Sequence, residues 1–224
     1  MKRTHLSVLL ALGLLAGPAL AAEGISKVNG SITAEAGKQY GDLETVNGGI
    51  NVESGARVGN VETVNGGLKI ADNAQSGGLS TVNGGIRVGQ QVQIADSIET
   101  VKGGIFVDRG SRISGSGSGS VESVNGSIGL VATQLQGGIE TVNGDITVGH
   151  DSHLGGGIEM KKPSFSMSFK PARKPRVIIG PRAVIDGPLH FEREVTLYVH
   201  RSAKTGPISG ATAQPFEGDT APEN

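Results

Sequence analysis

Apolar residues alternate with polar ones in short pairs along most of the chain: Ile50/Val52, Leu68/Ile70, Ile86/Val88, Ile105/Val107 and Ile146/Val148. A period of two sends every second side chain to the same face of a strand, and Val, Ile and Thr suit that pleated surface. Each pair follows a second landmark: Leu43-Glu44-Thr45-Val46, Val61-Glu62-Thr63-Val64, Leu79-Ser80-Thr81-Val82, Ile98-Glu99-Thr100-Val101, Val121-Glu122-Ser123-Val124 and Ile139-Glu140-Thr141-Val142. Between the two lies a corner. Val28-Asn29-Gly30-Ser31-Ile32 returns at Val46, Val64, Val82, Val101, Val124 and Val142, in steps of 18, 18, 18, 19, 23 and 18 residues. The pattern predicts short strands separated by sharp turns, where Asn and Gly tolerate the positive φ that a turn demands.

Asn-Gly between alternating runs is also a hairpin signal, so a meander or propeller competes with a stack. A meander gives no reason for one residue type to recur at one position of every unit. Stacking does: in a parallel β-helix equivalent residues lie above one another at about 4.8 Å, forming ladders of like side chains. A single unit buries too little to offset the ordering of its backbone, so coils are stable only on other coils. The expected fold is therefore all-β, a parallel β-solenoid of 18-residue coils. Asn29, Asn47, Asn65, Asn83, Asn125 and Asn143 are read as a structural corner ladder, with Lys102 as its one exception. Strict alternation from Val61 places Thr63 inside and Val64 outside, whereas a bend at Thr63 would reverse them; spacing leaves both open.

Composition fits a narrow core. Of 224 residues 37 are Gly, aromatics amount to 3%, and Cys is absent, which excludes disulfides and leaves Val, Ile and Leu to fill the interior. Gly without a triplet period excludes collagen. The formal charge is −1, so neither wholesale nucleic-acid binding nor a strongly acidic chain is expected. Met1 to Ala22 reads as a cleaved signal peptide, with Lys2 and Arg3 before an apolar run and small residues at Ala19-Leu20-Ala21. That run is short for a membrane span, so the mature chain is expected to be periplasmic or extracellular, without a span.

Residues 23–160 form the repeat array, which carries 15 acidic and 8 basic groups. Residues 161–176 break it with three prolines and no acid. Lys161, Lys162, Lys170, Arg173, Lys174 and Arg176 supply six cations there, around the alternating Phe165, Met167 and Phe169. The segment reads as an excursion whose apolar face covers the solenoid, or as a basic and aromatic patch for an anionic envelope component or a partner. Coil pattern resumes over 177–208, and 209–224 reads as a disordered tail.

The Val-Asn-Gly-Gly-Ile coils and the Ile179 to Ile208 block resemble the polymer-forming bactofilin-like proteins and related bacterial β-solenoids. The resemblance covers most of residues 25–208 and implies a right-handed parallel β-helix that self-associates through its ends without nucleotide. Bactofilins are cytoplasmic scaffolds without an export signal, so the resemblance implies a structural or adhesin-like role in the envelope and not a cytoskeletal one.

Candidate chemistry is sparse. Glu44, Glu62, Glu99, Glu122 and Glu140 share one coil position, with Ser80 interrupting them, as a solvated ladder would; at about 4.8 Å in water neighbours repel by only about 1 kcal/mol. His150, Asp151 and His153 are the one local set of metal-ligand types and lack a third firm ligand. The expectation is a non-enzymatic structural solenoid with no catalytic residues, metal or cofactor. A carbohydrate-binding or carbohydrate-cleaving β-helix of the pectate-lyase type is the alternative.

Overall fold

A computed structural model describes residues 22–115, 117, 120–163 and 173–222. The signal-peptide reading and Phe165, Met167, Phe169 and Lys170 lie outside them. No helix occurs among the described residues. Parallel strands stack into a β-solenoid of about nine turns, roughly 19 residues each, with three sheets running along its axis.

Sheet A has ten strands, beginning with Ile25–Asn29, Leu43–Asn47, Val61–Asn65 and Leu79–Asn83. Sheet B has ten, from Ile32–Ala34, Ile50–Val52 and Leu68–Ile70 to Ala213–Phe216; sheet C has seven two-residue strands, from Gln75–Ser76 to Lys204–Thr205. Every pairing is parallel and in register with the repeat, as in Leu43↔Val61, Glu44↔Glu62, Thr45↔Thr63 and Asn47↔Asn65.

The interior is a column of aliphatic side chains. Leu43, Val61, Leu79, Ile98, Val121 and Ile139 from sheet A meet Ile50, Leu68, Ile86, Ile105, Ile128 and Ile146 from sheet B, all buried. Alternation stays strict through sheet A: Thr63 is 5% exposed and Val64 is 40% exposed. The open question of which faces inward is thus decided for threonine, and its hydroxyl explains why. Thr63 Oγ1 donates to Gly48 O at 2.8 Å, and Thr45, Thr81 and Thr100 make the equivalent bond to Gly30, Gly66 and Gly84. A buried hydroxyl costs little once its proton has a partner.

The A–B corner meets the expectation of positive φ in part, at Gly30, Gly103 and Gly144, with φ of 107°, 153° and 158°. Gly48, Gly66 and Gly84 are not in the left-handed region. Their requirement is space: a Cβ on Gly66 would lie 2.0 Å from Gly48 O, and one on Gly84 would lie 1.8 Å from Gly66 O. Backbone rests directly on backbone there. Positive φ recurs from coil to coil at the B–C corner, at Gly37, Gly55, Asn73, Gln91, Gly110, Ala132, Asp151 and Arg182.

Residues 161–175 separate the sheet A strand Ile158–Met160 from the sheet B strand Arg176–Ile179, so the excursion replaces the Asn-Gly corner of that one coil. The array also runs past Ile208. Residues read as a disordered tail contain the strand Ala213–Phe216, which pairs with Thr196–His200. Phe216 is buried, with its ring edge-on to His200 at 5.0 Å; that contact supplies the apolar anchor that the small and acidic residues around it conceal.

Candidate functional site

Outward positions of the three sheets carry different chemistry, because a stacked coil repeats whatever its repeat holds. On sheet A, Glu44, Glu62, Glu99, Glu122, Glu140 and Glu159 form one column. Beside it runs an exposed apolar column, Val28, Val46, Val64, Val82, Val101 and Val124. The third column is the asparagine ladder: Asn47 Nδ2 donates to Asn29 Oδ1 at 3.1 Å, Asn65 to Asn47 at 3.0 Å, Asn83 to Asn65 at 3.0 Å and Asn143 to Asn125 at 3.1 Å. Lys102 stands in register between Asn83 and Asn125 and interrupts it. Sequence spacing missed how the ladder ends. Arg193 Nη1 donates to Asn143 Oδ1 at 2.6 Å and to Val142 O at 3.0 Å, supplying a donor in a coil that has no asparagine.

The glutamates are not equivalent. Burial pushes the Glu122 carboxyl above its ordinary value, and Glu140 and Glu99 push the same way. Lys161, two positions beyond Glu159, reaches across and pairs with Glu140, whose hydrogen bond raises the lysine.

The basic segment is tied to its own chain at each described cation but one. Arg173 Nη2 meets Asp145 Oδ2 at 2.6 Å, Lys174 meets Glu194 at 2.8 Å, and Arg176 places its guanidinium over the Tyr198 ring at 5.2 Å while its backbone N–H reaches Asp145. For Lys162 the described bond is made by its backbone N–H, to Glu192. These acids lie on neighbouring coils, so the cations hold both ends of the excursion against the solenoid.

His150 stays on Asp151, at 3.1 Å, and the fold sets His153 apart from both. Asp151 takes a two-pronged bond from Arg182, at 2.6 and 2.7 Å, which with the His150 contact lowers its carboxyl to about 2. His153 lies on sheet C and meets Asp186 at 2.8 Å. Among the described residues no group of three or more His, Cys, Asp or Glu side chains is placed to hold a metal ion. His190 and His200 contact serine hydroxyls, Ser209 and Ser202.

One interruption of the repeat was not anticipated. The outward residue of sheet B runs Asn51, Lys69, Arg87, Phe106, Gly129, Thr147, and the Phe106 ring reaches over Gly129, where a Cβ would sit 3.3 Å from it. The Arg87 guanidinium lies 5.5 Å from the ring centroid. A shallow depression of about 490 Å³ follows, bordered by Arg87, Phe106, Ser127, Gly129 and Thr147. The middle residue of each apolar pair carried this signal, an aromatic followed by a glycine in a column of polar side chains.

These observations define the chain as a parallel β-solenoid with chemically distinct flanks. No family model matches it, and no curated protein or solved structure does either. No helix among the described residues is long and apolar enough to cross a membrane.

Proposed function

We propose that this protein is an exported, non-enzymatic structural solenoid of the bacterial envelope, self-associating or adhesin-like, and that it works in the periplasm or outside the cell without a cofactor. The observation that carries this reading is the sheet A face. Its glutamate, valine and asparagine columns recur over the six strands from Leu43–Asn47 to Ile139–Asn143 with only Ser80 and Lys102 departing from type. Enzyme sites concentrate unusual side chains at one place, whereas a surface repeated along an axis suits extended, multipoint contact of low strength per coil. The basic excursion offers a second contact, to an anionic envelope component.

The resemblance to bactofilin-like solenoids supports an architectural role, and the export signal read in residues 1–22 supports the compartment. The Phe106 depression favours one alternative, a carbohydrate-binding β-helix, because an aromatic ring flanked by an arginine suits the apolar face and the acid group of a charged sugar.

Sedimentation of the purified exported protein over a wide concentration range, with and without washed envelope fragments, separates these readings. The structural role predicts mass that grows with concentration or co-sedimentation with the envelope. A monomer at every concentration that ignores the envelope, yet melts higher with acidic oligosaccharides, would contradict it and favour the alternative.

A further inference from the structure

We infer that this solenoid, contrary to the end-to-end association that its resemblance to bactofilin-like proteins implies, is closed to growth from its ends, so that a second copy of the chain joins it only along a flank. The inference concerns how the self-association proposed above occurs and does not require that it occur. A parallel stack ends in strands with unpaired N–H and C=O groups, which invite another strand unless something blocks it. Two substitutions within the repeat, one in each terminal coil, do so.

The first is Lys27. It pairs in register with Thr45, at the head of the inward column Thr45, Thr63, Thr81 and Thr100. The six coils that follow, from Thr45 to Thr141, place a small hydroxyl there and bury it. The first coil places an ammonium, which stays exposed and donates to Ser31 O at 2.9 Å. The last coil of a second copy, added on this side, would set Gly210 over that ammonium and take it from water without offering a carboxylate in the column. Two first coils meeting face to face would oppose one Lys27 to another. Tyr40, half-buried against the core, adds bulk at the same mouth of the interior.

The second is Pro215. Inward residues aim their backbone groups at the following coil: Leu43 N–H reaches Asn60 O, and Val52 O receives Ala71 N–H, both at 2.8 Å. Pro215 sits in that register, opposite Val199, and through it in line with Ile179 and Val148. The position that should offer an N–H to a further strand therefore has none. Beyond Phe216 the chain turns back along the flank, where Arg176 Nη2 donates to the Ala221 and Pro222 carbonyls, two coils below the last strand.

Both residues depart from their columns in the direction that prevents strand addition, and both are replaceable by the column's own residue. The test compares the native protein with Lys27→Thr, Pro215→Val and the double variant, by electron microscopy and by sedimentation against concentration, with circular dichroism reporting the β fold. Native particles should keep the length of one solenoid, about 43 Å for nine turns, at every concentration, whatever flank-to-flank clusters they form. The double variant should string into rods one solenoid wide whose length grows with concentration. Native protein that itself forms such rods would overturn the inference, as would a folded double variant that keeps the native length. If the double variant does not fold, an equimolar mixture of the single variants presents one opened end of each kind. End-joined pairs in that mixture would support the inference and their absence would overturn it. A native protein that never associates leaves these arms readable, so failure of the proposed function and failure of the closed ends are distinguishable.

Discussion

Thr63 shows how one hydroxyl joins two coils. Its proton is held by Gly48 O at 2.8 Å in a buried site, so Thr63→Val keeps the shape and removes the bond. A net loss of about 1 kcal/mol is expected, read as a lower urea midpoint at unchanged slope. Asn65 makes two ladder bonds at the exposed corner, and Asn65→Ala should cost a similar amount. The asparagine column was legible because its spacing is the coil length, whereas the inward threonines were ambiguous because a β-branched polar residue suits either face of a strand. Arg193 was invisible: its partner Asn143 lies 50 residues away.

Two carboxyls set opposite acid limbs. Burial, then Glu140 and Glu99, hold Glu122 above its ordinary value in the folded chain, so the native state binds this proton more tightly than the unfolded one. Stability from this group rises as pH falls from neutrality through the raised folded value, and the gain is complete below about 4.5, the ordinary carboxyl value. Glu122→Gln should abolish that rise in urea midpoints between pH 7 and 4.5. Asp151, lowered to about 2 by Arg182 and then His150, behaves the other way. Its contribution is present above the ordinary 3.8 and is lost as pH falls toward 2, and Asp151→Asn should remove that loss.

At the scale of the coil, the A–B corner has the least freedom. Adding a methyl at Gly66 would put carbon 2.0 Å from Gly48 O, a contact no side-chain rotation relieves. Gly66→Ala should therefore destabilise by about 3 kcal/mol or more, within the range of severe core lesions. Gly55 should tolerate alanine differently: its methyl would meet nothing within 4 Å, and only its φ of 70° opposes it. A cost of about 1 kcal/mol is expected there, and thermal melts of the two variants should separate by that order. Sequence pattern located the Asn-Gly corner but not the B–C one, and its positive φ holds at Gly30, Gly103 and Gly144 and not at Gly48, Gly66 and Gly84, because Asn-Gly serves close packing as readily as a left-handed turn. The final strand, Ala213–Phe216, was hidden for a related reason: a proline and two polar neighbours mask a register set by tertiary contact with Thr196–His200.

Across the molecule, contacts run between adjacent coils, so stability behaves as a chain of nearest-neighbour couplings. Amide exchange should be slowest in the middle coils and fastest at Ile25–Asn29 and Ala213–Phe216, each paired on one side only. Uniform protection would imply a folding unit that does not depend on stacking. The flanks, acidic and apolar on sheet A and marked by Lys69, Arg87 and Phe106 on sheet B, follow from which repeat positions face outward. The coil sequence made the glutamate column plain, while the Phe106–Gly129 interruption required sheet B to be assembled first.

The stack itself is tested most directly by paired cysteines in a chain that has none of its own. Glu44 and Glu62 are opposed in adjacent coils, outward and exposed, at a strand spacing of about 4.8 Å that a disulfide can span. Glu44→Cys/Glu62→Cys should close an intrachain disulfide on mild oxidation, and Glu44→Cys/Asn51→Cys, whose residues lie on different sheets, should not. Closure of the second pair without the first would mean that the Asn-Gly corner folds back as a hairpin, and would contradict the parallel stack.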